Sequence, residues 1–129
     1  MENLRAKYIT VDGDDIGQKI ASAYIKNDSS ELVRINKLVC EATSKISDFL
    51  TVHGFIILFC AADGVAGFCN EKAPTDEFIF DSIKSLVGSE LKFSAGVGKD
   101  LRESYVALLS AKSSGKGRLH NFEQLDLYV

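Results

Sequence analysis

Residues 8–17 read YITVDGDDIG and residues 55–67 read FIILFCAADGVAG, and in both an aspartate stands where an apolar strand ends. Strand side chains alternate, so in the first stretch Tyr8, Thr10 and Asp12 point to one side while Ile9 and Val11 point to the other. Asp12 is therefore expected on the less apolar face. In the second stretch the run from Phe55 to Ala62 is too apolar for a solvated loop, and Asp63-Gly64 interrupts it before Val65. That pattern reads as a hairpin with a carboxylate at its tip. Two carboxylates brought from distant parts of the chain onto one central sheet form the kind of set that a divalent cation and a nucleoside triphosphate require.

The chain has 129 residues, enough for one domain with a substantial core and too few for two. A single domain over 1–129 is expected. Its 46% hydrophobic and 26% charged composition, with one proline, fits a compact globular protein rather than a disordered or fibrous one. The longest apolar run is far below the ~20 residues of a membrane span. The N-terminal MENLRAKYI has no long apolar segment, so no signal peptide is expected and the cytoplasm is the expected location. Cys40, Cys60 and Cys69 are odd in number and not closely paired, which reads as reduced and mostly buried thiols. A net charge of −3 argues against a broad footprint for duplex nucleic acid. Phosphate, if bound, is then handled locally by a metal ion, backbone amides and a few lysines.

Along the chain, residues 6–11 read as a strand and 16–25 as a helix opened by the Asp14-Asp15 pair, whose charges suit a helix N-terminus. Leu32, Ile35, Val39, Ala42, Ile46 and Phe49 recur at helical spacing and give a long amphipathic helix that Gly54 ends. Strands over 55–62 and 65–69 make the hairpin. A helix follows from the Thr75 cap through Val87, then a strand over 91–97 and a helix over 101–113 with Leu101, Tyr105 and Leu108 on one face. Gly115 and Gly117 break that helix, and the C-terminal RLHNFEQLDLYV has room for one more short strand. The order βααββαβα, with a hairpin between helices, favours an α+β ferredoxin-like palm: a central antiparallel or mixed sheet of 4–5 strands with helices on one face. The other face would be open to substrate.

Three carboxylates within Asp12-Gly13-Asp14-Asp15 repel one another unless something cationic compensates, with a solvated turn and helix cap as the less favoured alternative. Asp63-Gly64 alone is a common hairpin turn. Lys112 and Lys116 stand four apart near the end of the last helix, where they either offset its dipole or attract an anion.

With these motifs in hand, the chain resembles the GGDEF and CRISPR polymerase palm domains over about its whole length. VDGDDIG is similar to the family's metal-binding strand and phosphate-cradling loop, and AADGV stands in the place of the GGDEF signature. FSAGVG is similar to the later strand, and AKSSGKGR to the closing alanine-lysine and glycine-arginine pattern. The small size and the DGDDIG loop are most similar to the minimal CRISPR polymerases (mCpol), which are taken to make cyclic nucleotide signals in bacterial antiviral defence.

The resemblance implies that Asp12 and Asp63 are catalytic metal ligands, with the Gly13 carbonyl as a third, for Mg²⁺ or Mn²⁺. It implies that the loop of Asp14 and Asp15, with the amides of Asp15, Ile16 and Gly17, holds the phosphates, which Lys112 and Lys116 neutralise. Two positions depart from the pattern. Gly64 stands where the signature has an acid, and Ile20 stands where GGDEF domains carry a guanine-reading asparagine. A pyrophosphate-releasing nucleotidyltransferase that makes a cyclic di- or oligonucleotide is therefore expected, with ATP preferred over GTP. A homodimer, a separate effector that reads the product, and no duplex nucleic acid or membrane partner are expected with it. A mononucleotide cyclase and a non-catalytic nucleotide sensor are the alternatives.

Overall fold

The computed structural model describes residues 6–70 and 72–128. Residues 1–5 of the N-terminal reading, Glu71 of the loop after the hairpin, and Val129 of the C-terminal segment lie outside the described residues. Along the chain run β1 (Lys7–Gly13), α1 (Ile16–Ile25), α2 (Ser29–Val52), β2 (Ile56–Ala61), β3 (Gly64–Cys69), α3 (Asp76–Val87), β4 (Phe93–Gly98), α4 (Leu101–Ser113), β5 (Leu119–Asn121) and a 3₁₀ segment (Phe122–Tyr128). The strands form one sheet in the order β2-β3-β1-β4-β5. All pairings are antiparallel except that of β4 with β5, so the sheet is mixed, and the α+β palm is the observed fold.

Local chemistry accounts for most of the element ends. Asp28, Thr75 and Asp100 cap α2, α3 and α4 by accepting the amides of Glu31, Phe78 and Glu103. Ile35, Val39, Ala42, Ile46 and Leu50 of α2 fall on one stripe and are buried. They pack with Ile16 of α1, with Ile79 and Ile83 of α3, and with the sheet residues Ile9, Val11, Val65, Phe93, Ala95 and Val97. This is the main core. The paired positions Ile9↔Val97 and Val11↔Ala95 place those side chains on one sheet face, toward α1, α2 and α3.

The fourth helix departs from the expectation of a single helical layer. The alternate residues of β1 and β4, Thr10↔Gly96 and Asp12↔Ser94, face the other way, and α4 lies against them. Thr10 Oγ1 bonds Ser104 Oγ of α4 at 2.8 Å. A Cβ on Gly96 would stand 2.2 Å from the Ser104 carbonyl oxygen and the Leu108 amide nitrogen, so only glycine admits the helix backbone at this distance. For the same reason the buried residues of α4 are Ser104, Ala107, Leu108 and Ala111, while Leu101 and Tyr105 are exposed. The expected Leu101/Tyr105/Leu108 face is corrected accordingly. The second sheet face is thus half covered, over β1 and β4, and open over β2 and β3. Cys69 is buried, but Cys40 and Cys60 are exposed, contrary to the reading of mostly buried thiols.

Candidate functional site

Both acidic turns lie at the same end of the sheet, because β1 is its central strand and β3 its direct neighbour. The register sets Asp12 opposite Gly64, and the Gly13 amide donates to the Asp63 carbonyl at 3.0 Å. The hairpin tip is thereby tied to the turn. At Gly13 a Cβ would come within 2.5 Å of Ile16 and 3.2 Å of the Asp63 carboxylate, so a side chain there would push the two turns apart. A Cβ on Gly64, where the signature has an acid, would stand 3.5 Å from Asp12 Oδ1; that position faces Asp12 across the strand pair.

The three aspartates of the β1–α1 turn have different surroundings. Asp12 is half-buried on the α4 side. Burial pushes its carboxyl above the ordinary carboxylate range, and the nearby charges of Asp63 and Asp14 add to this against the opposing bond from Lys112. Asp14 is buried; its carboxylate accepts from Ser94 Oγ at 2.7 Å, the Gly117 amide at 2.9 Å and Lys112 Nζ at 3.1 Å. Asp15 is exposed, adopts φ 61°, and pairs with Lys116, which holds its carboxyl below the ordinary range. Its side chain does not cap α1. The first amides of that helix, at Ile16 and Gly17, therefore have no side-chain acceptor from the cap position.

Lys112 and Lys116 reach this turn from the far end of the chain. The helix stops at Ser113, so they do not leave from one helical face; Lys116 follows Gly115 in a left-handed turn with φ 66°. Lys112 Nζ donates to the Gly13 carbonyl at 2.8 Å and lies 3.1 Å from Asp12 Oδ2. Burial acts against its ammonium, but the bonds and charges of Asp14 and Asp12 prevail and its pKa is raised. Beside the turn an open cleft of about 750 Å³ is lined by Asp14, Asp15, Lys19, Lys84, Lys92 and Lys116 among others. A second hollow of about 520 Å³, between α1 and α2, shares Asp15 and Lys19 with it. On the other side of Asp12 a groove of about 270 Å³ runs between α4 and the open strands, past Phe59, Tyr105 and Leu109.

Sequence reasoning missed Ser94 and the Asp14–Gly117 bond. The signal was the alternation Ser94-Gly96-Gly98 in β4, which puts only small residues on the side that meets α4. Ile20 is partly buried and packs against the core.

Among the described residues no three His, Cys, Asp or Glu side chains converge as a metal cluster. Besides Asp14 and Asp15, the oxygen donors where the two turns meet include the Asp12 and Asp63 carboxylates and the Gly13 carbonyl. Such hard oxygen donors would suit Mg²⁺ or Mn²⁺. The ammonium of Lys112 already rests against two of them, so the position is one that accepts a cation.

Comparison with known proteins agrees with this fold. A family model described as the minimal CRISPR polymerase domain, mCpol, matches residues 8–122. Among solved structures, the active GGEEF domain of a diguanylate cyclase from Vibrio cholerae superposes with a TM-score of 0.62 at 14% identity, over 91% of this chain and 82% of that one. The GGDEF domain of DgcB from Caulobacter crescentus, in complex with c-di-GMP, gives 0.62 at 9% identity over 92% and 78%. An EAL/GGDEF domain protein from M. capsulatus gives 0.58 at 16% identity over 91% and 84%. At these identities the likeness is one of fold. A search of curated proteins finds no match.

Proposed function

The chain belongs to the minimal CRISPR polymerase domain family, and from that premise we propose that it joins nucleoside triphosphates, ATP by preference, into a cyclic di- or oligonucleotide signal. The observation that carries this reading is the convergence of Asp12, the Gly13 carbonyl and Asp63 at one sheet end, beside the uncapped start of α1 and two lysines. A ribose hydroxyl oxygen of one nucleotide would bond to the α-phosphorus of another, and the bond from that phosphorus to the bridging oxygen would break. Pyrophosphate leaves and the hydroxyl proton passes to solvent.

When bound, Mg²⁺ or Mn²⁺ would neutralise the triphosphate and make the attacking hydroxyl more acidic. Asp12, Asp63 and the Gly13 carbonyl would hold it. The amides of Asp15, Ile16 and Gly17 would orient the phosphates at the helix start, and Lys112 and Lys116 would offset their charge. Ile20 offers no hydrogen bond to a guanine edge, which supports ATP. One chain has one such turn, so joining two nucleotides calls for two copies facing each other. The exposed Phe59, Tyr105 and Leu109 beside Asp12 support a homodimer through this side. As in the family at large, the product would act through a separate effector in antiviral defence.

The test is incubation with ATP and Mn²⁺, with pyrophosphate measured and the nucleotide product weighed by mass spectrometry. A cyclic di- or oligoadenylate is expected, and its formation should be lost in Asp63→Asn, which alters no core contact. A cyclic mononucleotide would move the assignment to the single-substrate alternative. Binding of ATP with no pyrophosphate release would leave a nucleotide sensor, in keeping with glycine at position 64.

A further inference from the structure

Lys112 has three oxygen partners of two kinds. Asp14 is fixed: its side chain is 4% exposed and is also held by the Ser94 hydroxyl and the Gly117 amide. Asp12, by contrast, is 39% exposed, and it and the Gly13 carbonyl are two of the three donors proposed above for the divalent cation. One ammonium therefore has a permanent anchor and two partners that another cation would claim. Lys116 differs, because its carboxylate partner is Asp15, which stands outside that donor set.

We propose that Lys112 is an exchangeable counter-ion: it neutralises Asp12 and donates to the Gly13 carbonyl in the nucleotide-free protein, and turns to the triphosphate when metal and nucleotide enter together. Its bond to Asp14 persists through the exchange and keeps the ammonium within reach. The inference rests on the reading of Asp12, Gly13 and Asp63 as the metal-binding set. Two cations cannot share the Asp12 oxygens without strong repulsion. Metal alone must break charge-assisted bonds that nothing replaces. With a triphosphate present the phosphate oxygens replace them, so metal and nucleotide bind with positive coupling, and the coupling is reciprocal.

Mn²⁺ binding to the intact chain, followed by electron paramagnetic resonance with and without α,β-methylene-ATP, tests this. Lys112→Met should bind Mn²⁺ alone about tenfold tighter than the wild type, the equivalent of one charge-assisted bond. In that variant the gain in Mn²⁺ affinity on adding the analogue should shrink. Lys116→Met removes the same charge nearby and should tighten Mn²⁺ binding by less than about threefold, the modest effect of an exposed pair. Lys112→Gln, which keeps a donor for Asp14, should behave as Lys112→Met does and serves if the methionine variant misfolds. Unchanged or weaker Mn²⁺ binding in the Lys112 variants, or an equal gain in Lys116→Met, overturns the proposal. Asp12→Asn should lose Mn²⁺ binding; if it binds as tightly as the wild type, the metal-set reading itself fails, whatever Lys112 does.

Discussion

On β1, Ile9 and Val11 point toward α1, α2 and α3 and are fully buried, whereas Tyr8, Thr10 and Asp12 point toward α4 and stay partly exposed. The same division continues on β4, where Phe93, Ala95 and Val97 join the main core and Ser94, Gly96 and Gly98 meet the last helix. One face is filled with apolar side chains, the other mostly with small or polar ones. The first stabilises by removing apolar surface from water. The second gains little of that, but its small residues let a helix backbone approach until Lys112 reaches the acidic turn. Adjacent residues of one strand thus line the core and the candidate site separately, because alternation sends them to different environments.

The sharpest way to break this comparison is to alter neighbours on opposite faces. Asp12→Asn should lower nucleotide turnover by about 10² to 10³ or more, yet change stability in urea by less than about 1 kcal/mol. Ile9→Ala should do the reverse, costing about 3–4 kcal/mol while turnover per folded molecule stays the same. Equal stability losses in both variants would show that the faces are not divided.

A smaller effect is expected where α4 meets β4. Replacing glycine by alanine in a strand interior ordinarily helps, but Gly96→Ala should cost about 2–3 kcal/mol because the methyl meets helix backbone rather than a movable side chain. A neutral or stabilising result in urea titration would mean that α4 does not lie this close.

The least effect belongs to His120, buried on β5 opposite Gly96, stacked on Tyr128 and bonded to Ser110 of α4. Burial, and then the charge of Arg118, lower its pKa below the ordinary imidazole value of 6.5. The unfolded chain therefore takes up the proton first as pH falls, so this contribution is present above 6.5 and is lost below it. Thermal melts between pH 7.5 and 5 should show a decline that His120→Asn flattens; parallel curves for the two proteins would refute it.

Much of this organisation is legible in the residues. The helices at 16–25 and 101–113 keep their expected bounds, since periodicity and caps are local signals. The hairpin and the short C-terminal strand also stand. What eluded the sequence is the side of the sheet on which α4 sits. Leu101 and Tyr105 suggest a buried stripe, but the opposing strand offers only Ser94, Gly96 and Gly98 on that side, and Ser104, Ala107 and Ala111 fit the glycine surface instead. The Lys116–Asp15 pair likewise depends on a left-handed turn beyond the helix end, which spacing does not reveal.

By itself the sequence determined which residues alternate along each strand, where the helices start and stop, and that two aspartates end two apolar strands. Only the tertiary structure decided that Asp12, Asp63 and Lys112 meet. Strand order, the Asp12↔Gly64 register and the close approach of α4 are non-local pairings, set by how whole faces pack. A local pattern fixes which way a side chain points, but not what it will find there.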